Sequence, residues 1–398
     1  MAEPGTAAVL DALAEGGVEA RFVGGSVRDA LLGLPIGDID IATPAPPERV
    51  IELLESRGIR VVPTGLAHGT VTALSGMPPR HFEITSLRRD VETYGRRARV
   101  VFDADWAVDA ARRDFTINAI FLARDGTIHD PVGGVADLLA RRVRFVGNPA
   151  TRIAEDVLRI LRYYRFEARF GSETGDTQAR AACKAAAQLL PKLSAERVAQ
   201  EVVNLLESLD PVPALRMMQE DGILAVILPE ARRLDRLREL IALNPKRDAL
   251  HRLAAVMDVD AAGADIVAER LRFSTASRER LRGLAPPLPL DPKGNAMVQR
   301  RALYRLGPDR YRDVLLLLAA ERAVTRERLS ILLDLARSWT PPAFPITGRD
   351  VTALGIPPGP RVGRLLEAVH VWWEEGDFAA DRPECLAYLT AIAAVSLP

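Results

Sequence analysis

Strand-type patterning in this chain is confined to its first third, and this limits the available folds more than any other feature. Up to about residue 130, "ARFVGG", "IGDIDIAT", "GIRVVPTG", "HGTVTALSG" and "RHFEITSL" read as short strands, with polar and apolar residues alternating most clearly in the second and last. Helix patterns separate them. "SVRDALLG" takes Ser26 as its N-cap and has Gly33 near its C-terminus, while "PPERVIELLESRG" begins on proline and stops before Gly58. From about Arg152 onward the β signals fade and helical periodicity dominates, broken at "LAPPLPLDPKGN" and "SWTPPAFPITGRD". A chain of 398 residues is too long for one core. The expected class is α+β: a head with a small mixed β-sheet, then an all-α remainder.

Composition excludes several classes. With 48% apolar and 27% charged residues the chain is globular rather than disordered. Its two cysteines, Cys183 and Cys385, cannot build a disulfide scaffold or a CxxC metal site. The opening "MAEPGTAAVLDALAEGGVEA" lacks a basic n-region, and no uncharged run is long enough for a membrane span, so a cytoplasmic protein without membrane association is expected. Charge balances at 53 basic against 53 acidic residues, which argues against a purely electrostatic nucleic-acid binder. Locally the balance fails: residues 141–170 hold eight arginines and three acids.

The stretch "RFVGGSVRDALLGLPIGDIDIAT" carries the first chemistry. A strand over "GDIDIA" puts Asp38 and Asp40 on one face and Ile39 and Ile41 in the core. Two such carboxylates repel unless a cation neutralises them, and their hard oxygens suit Mg²⁺. In "HFEITSL", Glu83 shares a face with His81 and Thr85, and it becomes a third carboxylate if the two strands pair. Gly24 and Gly25 allow close backbone approach, and Arg28 adds a positive charge on the following helix. Separately these features describe an ordinary turn and a solvated strand. Together they favour metal-assisted phosphoryl or nucleotidyl transfer. G-K-[ST] and G-x-G-x-x-G are absent, which excludes a Walker A loop and a Rossmann fingerprint.

"VGGSVRDALLGLPIGDIDIAT" resembles the first signature of the class II nucleotidyltransferases of the polymerase-β superfamily, which comprise the tRNA nucleotidyltransferases and bacterial poly(A) polymerases. "RRDFTINAI", "DPVGGVADL", "EDVLRILRYYRFEARFG" and "LSAERVAQE" follow in the family's order over roughly the first 200 residues. The segment 82–119 resembles the CCA-adding branch, with Tyr94 standing where many relatives have aspartate. The resemblance implies a polymerase-β-like head (1–150), then an elongated helical neck (151–232), body (233–340) and tail (341–398), the tail contacting tRNA. It implies template-independent addition of CCA to the tRNA 3′ end from CTP and ATP, with Mg²⁺ held by Asp38 and Asp40 and Glu83 as a further catalytic carboxylate. Gly25 and Arg28 match triphosphate positions, and Arg113, Arg162 and Arg165 match residues holding the nucleotide. No obligate protein partner is expected.

The segment 155–169 reads as one helix with Val157, Ile160, Leu161, Tyr164 and Ala168 on its apolar face and the arginines around the other side. Pairs such as Glu155 with Arg159 satisfy some of them. The three acids leave several arginines without local partners, a surplus that suits a polyanionic ligand. The resemblance makes Asp156 and Arg159 an amino-acid template for the base. Cytosine and adenine offer an exocyclic amine beside a ring-nitrogen acceptor, so a carboxylate and a guanidinium match them; uracil and guanine reverse both contacts.

Other features are weighed against this reading. The "HD" of His129 and Asp130 lacks the further ligands of a phosphohydrolase, since His68, His81, His251 and His370 are scattered, and is read as a turn. Trp372 and Trp373 are read as packing residues. The Gly-Pro turn before Arg361 and Arg364 fits either an RNA phosphate contact or a helix–turn–helix packing unit. A poly(A) polymerase and a catalytically silent RNA binder are the alternatives. The first lacks the expected basic C-terminal extension, and the second gains nothing from the repelling carboxylates of "GDID".

Overall fold

The computed structural model describes residues 3–66, 69–94, 97–102 and 105–395, with the backbone alone at 89–94, 97–102 and 395. His68 and the side chain of Tyr94 therefore lie outside the described residues. The chain forms two compact units. The first is Met1–Leu234 with Arg247–Leu253 and Ile266–Ser277, and the second is Asp235–Lys246, Ala254–Asp265 and Arg278–Pro398.

The first unit begins with helix α1 (Pro4–Glu15) and strand β1 (Arg21–Val23), then α2 (Gly25–Leu31), β2 (Ile39–Thr43) and α3 (Pro47–Ser56). Strands β3 (Arg60–Gly65), β4 (Thr70–Ser75) and β5 (Arg80–Ser86) follow. All five expected strands form. A hairpin of β6 (Arg88–Tyr94) and β7 (Arg97–Phe102) makes a separate two-stranded sheet. After α4 (Trp106–Ala111) come β8 (Phe121–Leu122), β9 (Ile128–His129) and α5 (Gly134–Leu139). The main sheet has the order β3-β4-β5-β2-β1-β8-β9, with β2 and β5 parallel and the other pairs antiparallel. The α+β class with a mixed-sheet head is the observed architecture.

Two local expectations are corrected. Helix α2 starts two residues early with Gly24 as its N-cap, because Ser26 turns its hydroxyl back to the Val23 carbonyl at 3.0 Å. Asp38 precedes β2 rather than lying in it and is exposed, while Asp40 is in the strand and half-buried. Ile39 and Ile41 enter the core as expected.

The expected single helix over 155–169 is two. Helix α6 (Pro149–Glu155) ends where Asp156 adopts an extended backbone (φ −147°, ψ 108°), and α7 (Arg159–Phe170) begins three residues later. Asp156 breaks the helix because its Oδ1 accepts the Leu158 N–H at 3.1 Å, a competing local bond that short carboxylates favour. Helix α7 buries Ile160, Leu161 and Tyr164, as its periodicity predicts, and also Tyr163, Phe166 and Phe170. Phe115 packs beside Phe145 and Phe166 at centroid distances of 4.9 and 5.0 Å, joining the segment after α4 to α7. Helices α8 (Thr177–Ala186) and α9 (Ala195–Leu206) complete the surroundings of α7.

In the second unit, Trp373, Val369, Leu365, Val351, Cys385 and Leu389 form a core, and Trp372 stacks on Tyr388 at 4.3 Å. Both tryptophans pack, as read from the sequence. Among the described residues no helix is long and apolar enough to cross a membrane.

Candidate active site

The parallel pairing of β2 with β5 sets Asp40 directly opposite Glu83. Across from them the backbone turns at Gly24 with φ +73°, a conformation that favours glycine. A Cβ there would lie 3.3 Å from Asp40 Oδ2 and 3.7 Å from Arg113 Nη1, so carboxylate and guanidinium meet over the bare glycine. Burial, then Glu83 and Asp38, push the Asp40 carboxyl up to about 6, with Arg113 and Arg28 opposing them. The site thus has an excess of negative charge at hard oxygen donors, and that donor set fits a divalent cation. Among the described residues no three His, Cys, Asp or Glu groups are arranged to hold a metal ion.

The arginines are held by buried acids. Arg113 donates to Asp109 Oδ2 from Nη2 at 2.9 Å. Burial opposes the ionisation of Asp109, but Arg113 and Arg112 outweigh it and hold the carboxyl below its usual range. Arg28 is buried, its guanidinium 4.0 Å from the Phe170 ring centroid, and it donates to Asp29 Oδ1 at 2.9 Å and Asn118 Oδ1 at 2.6 Å. Asn118 in turn donates from Nδ2 to Asp114 Oδ1 at 3.0 Å, and Arg162 donates to Asp114 Oδ2 at 2.9 Å. Burial disfavours the Asp114 carboxylate, yet Arg162 and the Asn118 and Phe115 donors bring it down to about 2. A continuous chain of polar contacts therefore runs from Arg28 on α2 through Asn118 and Asp114 to Arg162 on α7.

This corrects the expected surplus of unpartnered arginines. Arg159 pairs with Glu155, Arg162 with Asp114, Arg165 with Glu201 and Arg169 with Asp29. Three of these acids lie far away in sequence, so counting local charges could not find them. Asp156 is likewise held, by Arg197 of α9 at 2.7 Å. Asp109, Asp114, Asn118, Arg197 and Glu201 are the residues that sequence reasoning missed. For all but Asp109 the signal was polar residues at fixed places inside "RRDFTINAI" and "LSAERVAQE"; Asp109 lies three residues before the first of these. The "HD" pair is not the expected turn: His129 ends β9, paired with Phe121, and Asp130 follows it and accepts the Gly134 and Val135 N–H groups at 2.7 and 2.9 Å at the start of α5.

A family described as "Poly A polymerase head domain" matches residues 20–144, and "Probable RNA and SrmB- binding site of polymerase A" matches residues 176–234. The chain is 34% identical to the Homo sapiens "CCA tRNA nucleotidyltransferase 1, mitochondrial" over 386 residues, covering 93% of this chain and 86% of that protein. It is 31% identical to the "CCA-adding enzyme" of Levilactobacillus brevis, with 96% of each covered. The crystal structure of the Bacillus stearothermophilus CCA-adding enzyme in complex with CTP superposes with a TM-score of 0.81 at 27% identity, covering 98% of this chain and 97% of that one. The chain belongs to the CCA tRNA nucleotidyltransferase family.

Proposed function

We propose that this enzyme adds C, C and A to the 3′ end of tRNA from CTP and ATP, releasing pyrophosphate, without a nucleic-acid template. The observation that carries the proposal is the meeting of the Asp40 carboxylate with Glu83, Arg113 and the Gly24 turn, beside the polar chain that leads from Arg28 to helix α7. Asp38 and Asp40 would hold Mg²⁺, with Glu83 tuning the charge at Asp40. When bound, the metal supplies a lowered pKa for the attacking 3′-hydroxyl and countercharge for the triphosphate and pyrophosphate. Gly25 leaves room for the triphosphate, and Arg28, Arg113, Arg162 and Arg165 orient the nucleotide. Asp156 accepts from the exocyclic amine of cytosine or adenine while Arg159 donates to the ring nitrogen, and uracil or guanine leaves both groups unpaired.

The division into head 1–150, neck 151–232, body 233–340 and tail 341–398 belongs to the same proposal, with body and tail carrying tRNA by shape and phosphate contact and Arg361 and Arg364 on the tail. So does a cytoplasmic location, supported by two buried free cysteines.

The test supplies tRNA ending at the discriminator base with Mg²⁺ and each nucleotide singly and together. Three added residues and a stop are expected. A long ladder with ATP alone would instead indicate a poly(A) polymerase, the reading that the head-domain match also allows, and no extension would indicate a silent binder. Asp38→Ala should abolish incorporation while tRNA binding persists in a filter or mobility-shift assay.

A further inference from the structure

Helix α9 meets the proposed nucleotide-selecting residues with two charges one turn apart. Arg197 donates from Nη2 to Asp156 Oδ2 at 2.7 Å, and Glu201 accepts from Arg165 Nε at 2.6 Å. Both sit among the apolar residues that dock α9, Val198, Val202 and Leu205, and the Glu201 side chain is only 7% exposed. A helix that served only to pack would carry apolar residues here, because burying a charged pair costs desolvation that packing alone does not require. Each charge faces a residue of opposite sign on the proposed selecting surface.

Asp156 needs such a hold. It lies in the extended break between α6 and α7, where its N–H closes α6 on the Arg152 carbonyl and its own carbonyl accepts the Arg159 N–H at 3.0 Å, bonds that hold the backbone but not the carboxylate. Its two oxygens have one fixed donor each, the Leu158 N–H on Oδ1 and Arg197 on Oδ2. With both engaged the carboxylate plane cannot rotate, and the remaining lone pairs keep one direction. Without Arg197 the Leu158 N–H would hold Oδ1 alone and leave Oδ2 without a fixed donor.

We infer that Arg197 is a specificity-positioning residue: by anchoring one oxygen of Asp156 it aims the other lone pairs at the exocyclic amine of the incoming base. The inference rests on Asp156 and Arg159 being the base-selecting pair. It separates two properties that a general structural role would change together. Phosphate contacts and the carboxylates of β2 and β5 are untouched by Arg197, so turnover of a nucleotide that gains nothing from Asp156 should persist.

The experiment compares kcat/KM for CTP and UTP on tRNA ending at the discriminator base, and for ATP and GTP on tRNA ending in CC, using the full chain. Arg197→Gln is expected to lower the CTP-to-UTP and ATP-to-GTP ratios roughly 10- to 100-fold, chiefly through KM for the correct nucleotide, the scale of loss that about 1 Å of misplacement brings. Arg197→Lys, which keeps a single charged donor, should recover part of the ratio. Equal loss for all four nucleotides, or an unchanged ratio in both variants, overturns the inference. Asp156→Ala separates the two levels. If it relaxes the choice and Arg197→Gln does not, this inference alone falls; if Asp156→Ala leaves the ratios unchanged, the selecting-pair reading falls and takes the inference with it. Should Arg197→Gln fold poorly, the Arg197→Lys ratio alone decides between the outcomes.

Discussion

Glu167 shows what a single residue can cost when placed for packing. It lies on α7, buried, with Oε2 accepting the Ser172 N–H at 3.3 Å, while Oε1 is among the buried side-chain atoms without a hydrogen-bond partner. Burial pushes its carboxyl up from 4.5 to about 7. Between these values the unfolded chain has released the proton and the folded chain retains it, so stability falls as pH rises. The contribution is complete below pH 4.5 and lost above about pH 7. The loss amounts to about 3 kcal/mol, since each tenfold change in proton affinity is worth about 1.4 kcal/mol. Glu167→Gln removes the titration. Urea midpoints measured between about pH 5 and pH 8.5 should therefore fall less steeply for the variant than for the parent protein. Asp114 behaves oppositely: its depressed carboxyl adds stability above the unfolded value of 3.8, lost as pH falls toward about 2.

At the scale of elements, the short 3-10 turn Thr116–Asn118 is the joint of the site, because its Asn118 links Arg28 to Asp114. Its position depends on Gly134 at the start of α5. A Cβ on Gly134 would lie 2.1 Å from the Thr116 carbonyl oxygen, a backbone atom that cannot move without moving the turn. Thr116 also donates its hydroxyl to Asp137 Oδ2 of α5 at 2.6 Å, tying the two elements from the other side. Gly134→Ala should destabilise the first unit by about 1–3 kcal/mol. Nucleotide affinity should fall with it, measured as a raised KM for CTP, while Gly363→Ala should leave KM unchanged, its Cβ meeting open space. The glycine thus acts through the turn rather than through the nucleotide.

At the scale of the whole molecule, the second unit has a core of its own around the 1% exposed Trp373, whose indole N–H donates to the Ala380 carbonyl at 3.0 Å. Trp373→Ala should cost that unit about 3–5 kcal/mol. Hydrogen exchange read by mass spectrometry should lose protection over residues 346–392 and keep it over the β-sheet of the first unit. Much of this organisation was legible beforehand. Strands at "IGDIDIAT" and "RHFEITSL", the helices of the remainder and the carboxylates of the candidate site follow from alternation, capping and composition, which are properties of neighbouring residues. What escaped was every contact made across distance. Asp40 faces Glu83 because β2 and β5 run parallel; Arg162 meets Asp114 48 residues away; Arg197 holds Asp156 from another helix. Local periodicity records which face of an element turns inward, but a partner brought by a crossover or a packed helix leaves no trace in the spacing of the residues it meets. Folding alone joined the residues that carry charge into a site.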